Sequence, residues 1–214
     1  PPKRVYPWSG DTPPDVGAEG ELTIPAILAA TQQGRQLNRG PKQKYQPFDA
    51  FIAGWLKNLG IIHEFKVEPI AKGRKEYEVL IQAHTGAPWV KLTDVGFGVS
   101  QILPALVQAF YAPPNSVLWM EQPEIHLHPA MQAELADLLI ESVDPAVRAN
   151  QVIVETHSET LVLRIQRRIR EQLISAEDVL VLYVDQDSEG RAHIEELRLG
   201  PDGQFLDHWP GGFF

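Results

Sequence analysis

The chain has 214 residues, of which 43% are hydrophobic and 22% charged, with a formal net charge of −9. That composition is ordinary for a globular protein and too apolar for a disordered one, and no apolar run approaches the ~18 residues of a membrane span. Cysteine is absent, which excludes disulfides, thiolate metal sites and a cysteine nucleophile, and the overall acidity argues against indiscriminate binding to nucleic acid.

Residues 1–20, rich in Pro, Gly and Asp, read as irregular. Residues 22–33 read as a helix weakened by Pro25, and 34–47, with Arg35, Arg39, Lys42 and Lys44, as a polar loop. Phe48, Phe51, Ile52, Trp55, Leu56 and Leu59 recur at helical spacing, and Gly60 ends that helix. Two strands follow over 61–70 and 76–84, joined by a basic turn at 72–75. Val99, Ile102, Leu103, Leu106, Ala109 and Phe110 mark the buried face of a further helix. Residues 116–121 form a short apolar strand, with Trp119 read as core. Residues 129–143 form a helix opened by Pro129, and 151–156 a second apolar strand. Residues 158–173 read as a helix with Ser158 as N-cap and 179–185 as a third strand. Arg164, Arg167, Arg168 and Arg170 on that last helix read as a solvated face. The alternation of helix and strand predicts α/β layering around a parallel sheet. A hairpin turn at 185–190 into a strand over 192–199 makes the end a small β extension.

Ligands of parallel α/β sheets bind outside the carboxyl ends of the strands. Two such ends carry polar residues in quick succession: Glu121-Gln122-Pro123-Glu124-Ile125-His126-Leu127-His128-Pro129, and Glu155-Thr156-His157-Ser158. An apolar strand ending in a carboxylate offers an oxygen ligand to Mg²⁺ or its waters beside a nucleotide. A third segment, Thr93-Asp94-Val95-Gly96-Phe97-Gly98-Val99-Ser100-Gln101, opens the buried helix with glycines that let phosphate approach backbone N–H groups.

In this order the three segments resemble the C-terminal lobe of an ABC-type P-loop ATPase head. They are most similar to prokaryotic AAA-family ATPases related to the OLD and SMC proteins. Residues 94–101 resemble the signature loop, 117–129 resemble Walker B with the D-loop, and His157 resembles the switch histidine. The closing Trp209-Pro210-Gly211-Gly212-Phe213-Phe214 looks like an uncharacterised module found on some of these ATPases. The resemblance implies that Glu121 holds Mg²⁺ and that His157 contacts the γ-phosphate of ATP. It implies that Gly96, Gly98, Ser100 and Gln101 face nucleotide held by a second head, so that the partner is a homodimer mate or another ATPase head. The implied fold is a parallel-sheet lobe at 92–185, preceded by a connector with helix and strands at 1–91 and followed by the β extension at 186–214. The implied setting is cytoplasmic, with an effector partner that acts on nucleic acid.

Two departures matter. No G-x-x-x-x-G-K-[ST] occurs anywhere in the sequence, so the chain alone is expected not to bind ATP tightly and to rely on an N-terminal lobe with Walker A. With Pro1 in place of an initiator Met, the chain is expected to be a piece of a longer polypeptide. Gln122 stands where most relatives place a catalytic Glu; a glutamine orients water but takes no proton. Glu124 is the candidate to act as base or polariser in its place. Two rival readings stand beside this one. In the first, Glu124, His126 and His128 ligate a metal in a metal-dependent hydrolase. In the second, the chain is a non-catalytic module for dimerisation or partner binding.

Overall fold

The computed structural model describes residues 3–60, 62–95 and 97–210. The chain divides into two compact units, Pro1–Ser158 and Glu159–Phe214. The first unit runs β1 (Tyr6–Pro7), α1 (Thr23–Gln32), β2 (Gln36–Leu37), β3 (Gln46–Pro47), α2 (Phe48–Asn58), β4 (Glu64–Pro69), β5 (Glu76–Gln82) and β6 (Val90–Lys91). It continues with α3 (Phe97–Tyr111), β7 (Val117–Glu121), α4 (Pro129–Val143) and β8 (Gln151–Glu155). The second unit holds α5 (Glu159–Arg170), β9 (Val181–Gln186) and β10 (Ala192–Leu197).

The core of the first unit is helical. Helices α1, α2 and α3 pack on one another. The periodic face of α2 meets α3 through aromatic rings, with the Phe51 and Phe110 centroids 4.7 Å apart, edge to face. Phe48, Ile52, Leu56, Ile102, Leu106 and Phe110 are fully enclosed, each contributing about 1.5–3 kcal/mol of apolar burial. Pro25 does not weaken α1: it sits in the first turn, where the backbone N–H has no helical acceptor to lose. Gly20 precedes α1 at φ +74°, and a Cβ there would stand 2.6 Å from the ring of Pro104 in α3. The close approach of chain and helix at this point therefore requires glycine.

Strand β5 lies between β1 and β4 and also pairs β6, all antiparallel. The hairpin expected from the basic turn is the β4–β5 pair, in register from Glu64↔Gln82 to Pro69↔Tyr77. Strands β7 and β8 form a parallel ladder from Val117↔Gln151 to Glu121↔Glu155. This is the βαβ crossover through α4 that the alternating pattern predicts.

Two expectations need correction. The third strand forms as β9 and pairs β10 antiparallel, as the hairpin turn at 185–190 implies, but among the described residues the parallel ladder consists of β7 and β8, without β9. The local turn explains the pairing. Gly190 N–H bonds the Asp187 carbonyl at 2.9 Å, and the Asp187 carboxylate accepts the N–H groups of Glu189 and Arg191, so the chain folds straight back. Trp119 is not core: it is 67% exposed. Alternation along β7 turns Leu118 and Met120 inward, and Val117, Trp119 and Glu121 to the opposite, open face.

In the second unit, Gly203 at φ +77° lies against the backbone of Gln166 in α5, where a Cβ would collide with the carbonyl. Tyr183, Phe205 and Trp209 stack edge to face, with Trp209 centroid distances of 5.7 and 5.3 Å. No helix among the described residues is long and apolar enough to cross a membrane.

Candidate functional site

Because β7 and β8 run parallel and in register, their carboxyl ends open on the same side. Glu121 and Glu155 are paired positions at the last rung, and both are exposed. The chain leaves β7 through Gln122 at φ +44°, a left-handed conformation costly for a residue with a Cβ. That turn is tied to β8 twice. The Gln122 backbone N–H donates to the Glu155 carbonyl at 2.8 Å, and its Nε2 donates to Glu155 Oε1 at 3.1 Å. A carboxylate only accepts, so the amide nitrogen faces Glu155 and the amide oxygen points away from it.

Residues 122–127 then coil through two tight turns, Ile125 N–H to the Gln122 carbonyl at 3.1 Å and Leu127 N–H to the Glu124 carbonyl at 3.0 Å. This winding turns Glu124 inward. It is 5% exposed, its Oε1 accepts the Thr156 hydroxyl at 2.6 Å and the His157 backbone N–H at 2.9 Å, and its Oε2 is buried without a hydrogen-bond partner. Thr156 Oγ1 in turn accepts the Ser158 N–H at 2.9 Å. Ser158 Oγ bonds Gln132 Oε1 at 2.7 Å, and Gln132 Nε2 bonds the Leu127 carbonyl at 3.0 Å. The loops after β7 and after β8 are thus laced together through buried polar bonds, with the His157 side chain left exposed at the surface.

His126 adopts φ +65° and is exposed. His128 precedes α4, where its Nδ1 accepts the Ala130 N–H at 3.3 Å, with Pro129 at the first helical position. Glu124, His126 and His128 therefore point to separate tasks, and the described residues contain no group of three His, Asp or Glu side chains placed to hold a metal ion. The rival ligand set is not assembled.

The glycine-rich segment arrives at the same loop. A Cβ on Gly98 would stand 3.7 Å from the His126 carbonyl and from Leu127, and 3.8 Å from Met131. The first turn of α3 therefore borders the loop after β7. Ser100 is half-buried and Gln101 exposed on that turn. Gly96 lies outside the described residues, as do Phe213 and Phe214.

The exposed carboxylate oxygens of Glu121 and Glu155 at the strand ends are of the hard donor type that divalent cations take. What the sequence does not carry is a phosphate-cradling loop. Glu155 was not singled out in the sequence, although Gln151–Glu155 repeats the strand-then-carboxylate pattern that marked Glu121.

The sequence model of the family described as "AAA domain, putative AbiEii toxin, Type IV TA system" matches residues 36–164, more than half of the chain. No curated protein matches the chain. Among solved structures, the chain is similar to one described as "Structural biochemistry of ATP-driven dimerization and DNA stimulated activation of SMC ATPases", with 17% identity, a TM-score of 0.50, and 70% of this chain and 82% of that one covered. It is also similar to the Pyrococcus furiosus Smc head domain with an extended coiled coil bound to the C-terminal domain of ScpA, at 16% identity and a TM-score of 0.51 over 70% of this chain. An SmcHead bound to the C-winged helix domain of ScpA shows the same identity, 16%, and the same TM-score, 0.51, over 71% of this chain. The chain spans 34% and 42% of the lengths of these last two. At such identities the likeness is one of fold: a mixed α/β lobe of the P-loop ATPase-head kind.

Proposed function

Because the chain belongs to the AAA-domain family whose model covers its residues 36–164, we propose that it is the Walker B and switch lobe of an ATP-hydrolysing head. The observation that carries this reading is the Glu124 carboxylate. It bonds the Thr156 hydroxyl and the His157 N–H, and so holds the acid-ended strand and the histidine-ended strand as one unit. In this reading Glu121 offers its exposed carboxylate to Mg²⁺ or to a Mg²⁺-bound water. Mg²⁺, when bound, supplies charge neutralisation on the phosphate oxygens. Gln122, held by Glu155, orients the attacking water through its amide oxygen. His157 projects toward the γ-phosphate, and Glu124 is a positioning residue for it. Gly96, Gly98, Ser100 and Gln101 present the start of α3 to the nucleotide of a second head, where the backbone N–H groups and the helix dipole favour phosphate.

The phosphate cradle comes from a segment with a P-loop that this sequence does not contain, so the 214 residues alone do not hold ATP tightly. One SMC relative is described by ATP-driven dimerisation and DNA-stimulated activation, and others by a head bound to ScpA. By the same logic this lobe closes on a second head around ATP and passes the change to a partner.

The test uses the native protein in which the chain occurs. Wild type hydrolyses ATP with Mg²⁺ and dimerises in ATP, whereas Glu121→Gln and His157→Ala each reduce turnover by about 100-fold or more. Turnover indifferent to both substitutions, or tight ATP binding by residues 1–214 alone, overturns the reading.

A further inference from the structure

We propose that Glu155 is the general base that activates water in this site. The assignment rests on the ATPase reading above and adds to it the residue that takes the proton. The sequence leaves that role vacant, because Gln122 has no basic atom to accept a proton at neutral pH. Glu124 is turned inward, with Oε1 occupied by Thr156 and His157 and Oε2 sealed from solvent. Glu121 serves the metal.

Glu155 meets the geometric requirement. It ends β8 at the rung it shares with Glu121, so its carboxylate stands on the open side of the ladder, beside the exit of β7. It is exposed, and its Oε1 is 3.1 Å from Gln122 Nε2. That contact does two things. It fixes the glutamine amide so that its oxygen faces outward, and it holds the carboxylate beside the same amide group. A water seated between them donates one hydrogen to Gln122 Oε1 and the other to Glu155. The strand-end pairing thus divides between two residues what a single glutamate would otherwise do: Gln122 orients and Glu155 accepts.

The step balances as follows. The water oxygen forms a bond to the γ-phosphorus of ATP while one of its protons passes to the Glu155 carboxylate. The bond from the γ-phosphorus to the bridging oxygen breaks, and its electron pair leaves on the β-phosphate of ADP. Glu155 then releases its proton to solvent, which leaves ADP, inorganic phosphate and one proton.

The experiment compares the native protein with Glu155→Gln and with the exchange variant Gln122→Glu/Glu155→Gln, measuring kcat, ATP affinity by nucleotide titration, and ATP-induced dimerisation by sedimentation. Glu155→Gln lowers kcat by about 100-fold or more, the usual weight of a general base, while ATP affinity and dimerisation stay within about threefold of wild type. The exchange variant, which returns a carboxylate to the same pocket from the other strand, recovers at least about tenfold of the loss. A kcat for Glu155→Gln within threefold of wild type, an exchange variant no better than the single one, or loss of ATP binding with Glu155→Gln each overturns the assignment. Glu121→Gln is the control that separates the two levels. If it abolishes turnover while Glu155→Gln does not, the base assignment falls and the ATPase reading stands; a wild-type protein without hydrolysis ends both.

Discussion

The backbone N–H of His157 donates to Oε1 of Glu124 at 2.9 Å across the two strand-end loops. Together with the Thr156 hydroxyl on the same oxygen, this bond makes Glu124 a buried acid engaged in the fold. Replacing Glu124 by Ala removes the acceptor for both the His157 N–H and the Thr156 hydroxyl inside a closed pocket. It should destabilise the chain by about 1–3 kcal/mol. Glu124→Gln keeps an acceptor oxygen and removes a buried charge whose second oxygen has no partner. It should leave the denaturation midpoint near wild type and retain turnover in the native protein, which a general base could not do. Urea unfolding and steady-state hydrolysis on the two variants check this, and a loss of turnover in Glu124→Gln as large as in Glu124→Ala goes against the positioning role.

The end of α3 is held by two guanidinium groups. Arg35 donates to the carbonyls of Phe110 at 2.7 Å and Tyr111 at 2.6 Å, with its charge over the rings of Phe48 and Tyr111, while Arg148 donates to the Ala112 carbonyl. Cations at a helix C-terminus are favourable, but these two repel each other. Burial first, and then the Arg35 charge, bring the Arg148 guanidinium down to about 10. Arg35→Lys keeps the positive charge and one donor to these carbonyls but loses the planar fork that spans both. The net cost should be about 1–2 kcal/mol, below the full value of two charged hydrogen bonds. Chemical denaturation of the single variants and of Arg35→Lys with Arg148→Lys measures the coupling.

Trp119 offers a readout without any ligand. On the open face of β7 and 67% exposed, it should be accessible to acrylamide, and Trp119→Ser should change folding stability by less than about 0.5 kcal/mol. The fully enclosed Trp55 of α2 gives the contrast: Trp55→Ala should cost about 3–5 kcal/mol. A Trp119 shielded from quencher in the isolated chain contradicts the facing assigned to β7.

The second unit carries its own acid dependence. Asp207 accepts Arg198 Nη2 at 2.7 Å, Nε at 3.0 Å and the Arg198 backbone N–H at 2.8 Å, and the side-chain bonds to Arg198, then the backbone bond, bring its carboxyl down to about 2. An unfolded Asp titrates near ~3.9. A depressed acid contributes stability that is present above the unfolded value and lost as pH falls through the folded one. The Arg198–Asp207 contribution is therefore intact above about pH 5 and lost progressively toward about pH 1, below both values. Carboxyl-carbon NMR titration of Asp207 reads the midpoint directly, and Asp207→Asn should remove the dependence in that window.

Much of the frame was legible because its signals are local. Pro129 after a polar string marked the start of α4, the spacing from Phe48 to Leu59 marked α2, and the strands ending at Glu121 and Glu155 showed as apolar runs with an acid behind them. What was hidden depends on which surfaces meet. In Val117-Leu118-Trp119-Met120 every residue is apolar, so the pattern cannot tell which alternate pair is covered, and the largest ring proved to be on the open side. Glu124 sits in a string of polar residues that looks uniformly exposed. Its burial follows from two successive turns that no propensity announces. The hairpin partner of β9 was legible in the turn residues at 185–190, whereas its absence from the β7–β8 ladder was not, because helix–strand alternation does not say which strands pair. Glu155 shows in the sequence only as one more strand-ending acid, because its contact with Gln122, 33 positions earlier, arises from the register of the ladder.

Gln122 and His126, at φ +44° and +65°, place two side-chain-bearing residues in left-handed backbone within one short loop, where about 1–2 kcal/mol each is stored. That makes the loop a place where evolution toward heat tolerance and evolution toward turnover pull apart. Glycine at either position relaxes the backbone and firms the fold, yet at 122 it deletes the amide that reaches across to Glu155. Homologues or selected variants that have traded these residues for glycine are the ones in which a thermally sturdier protein should be a slower one.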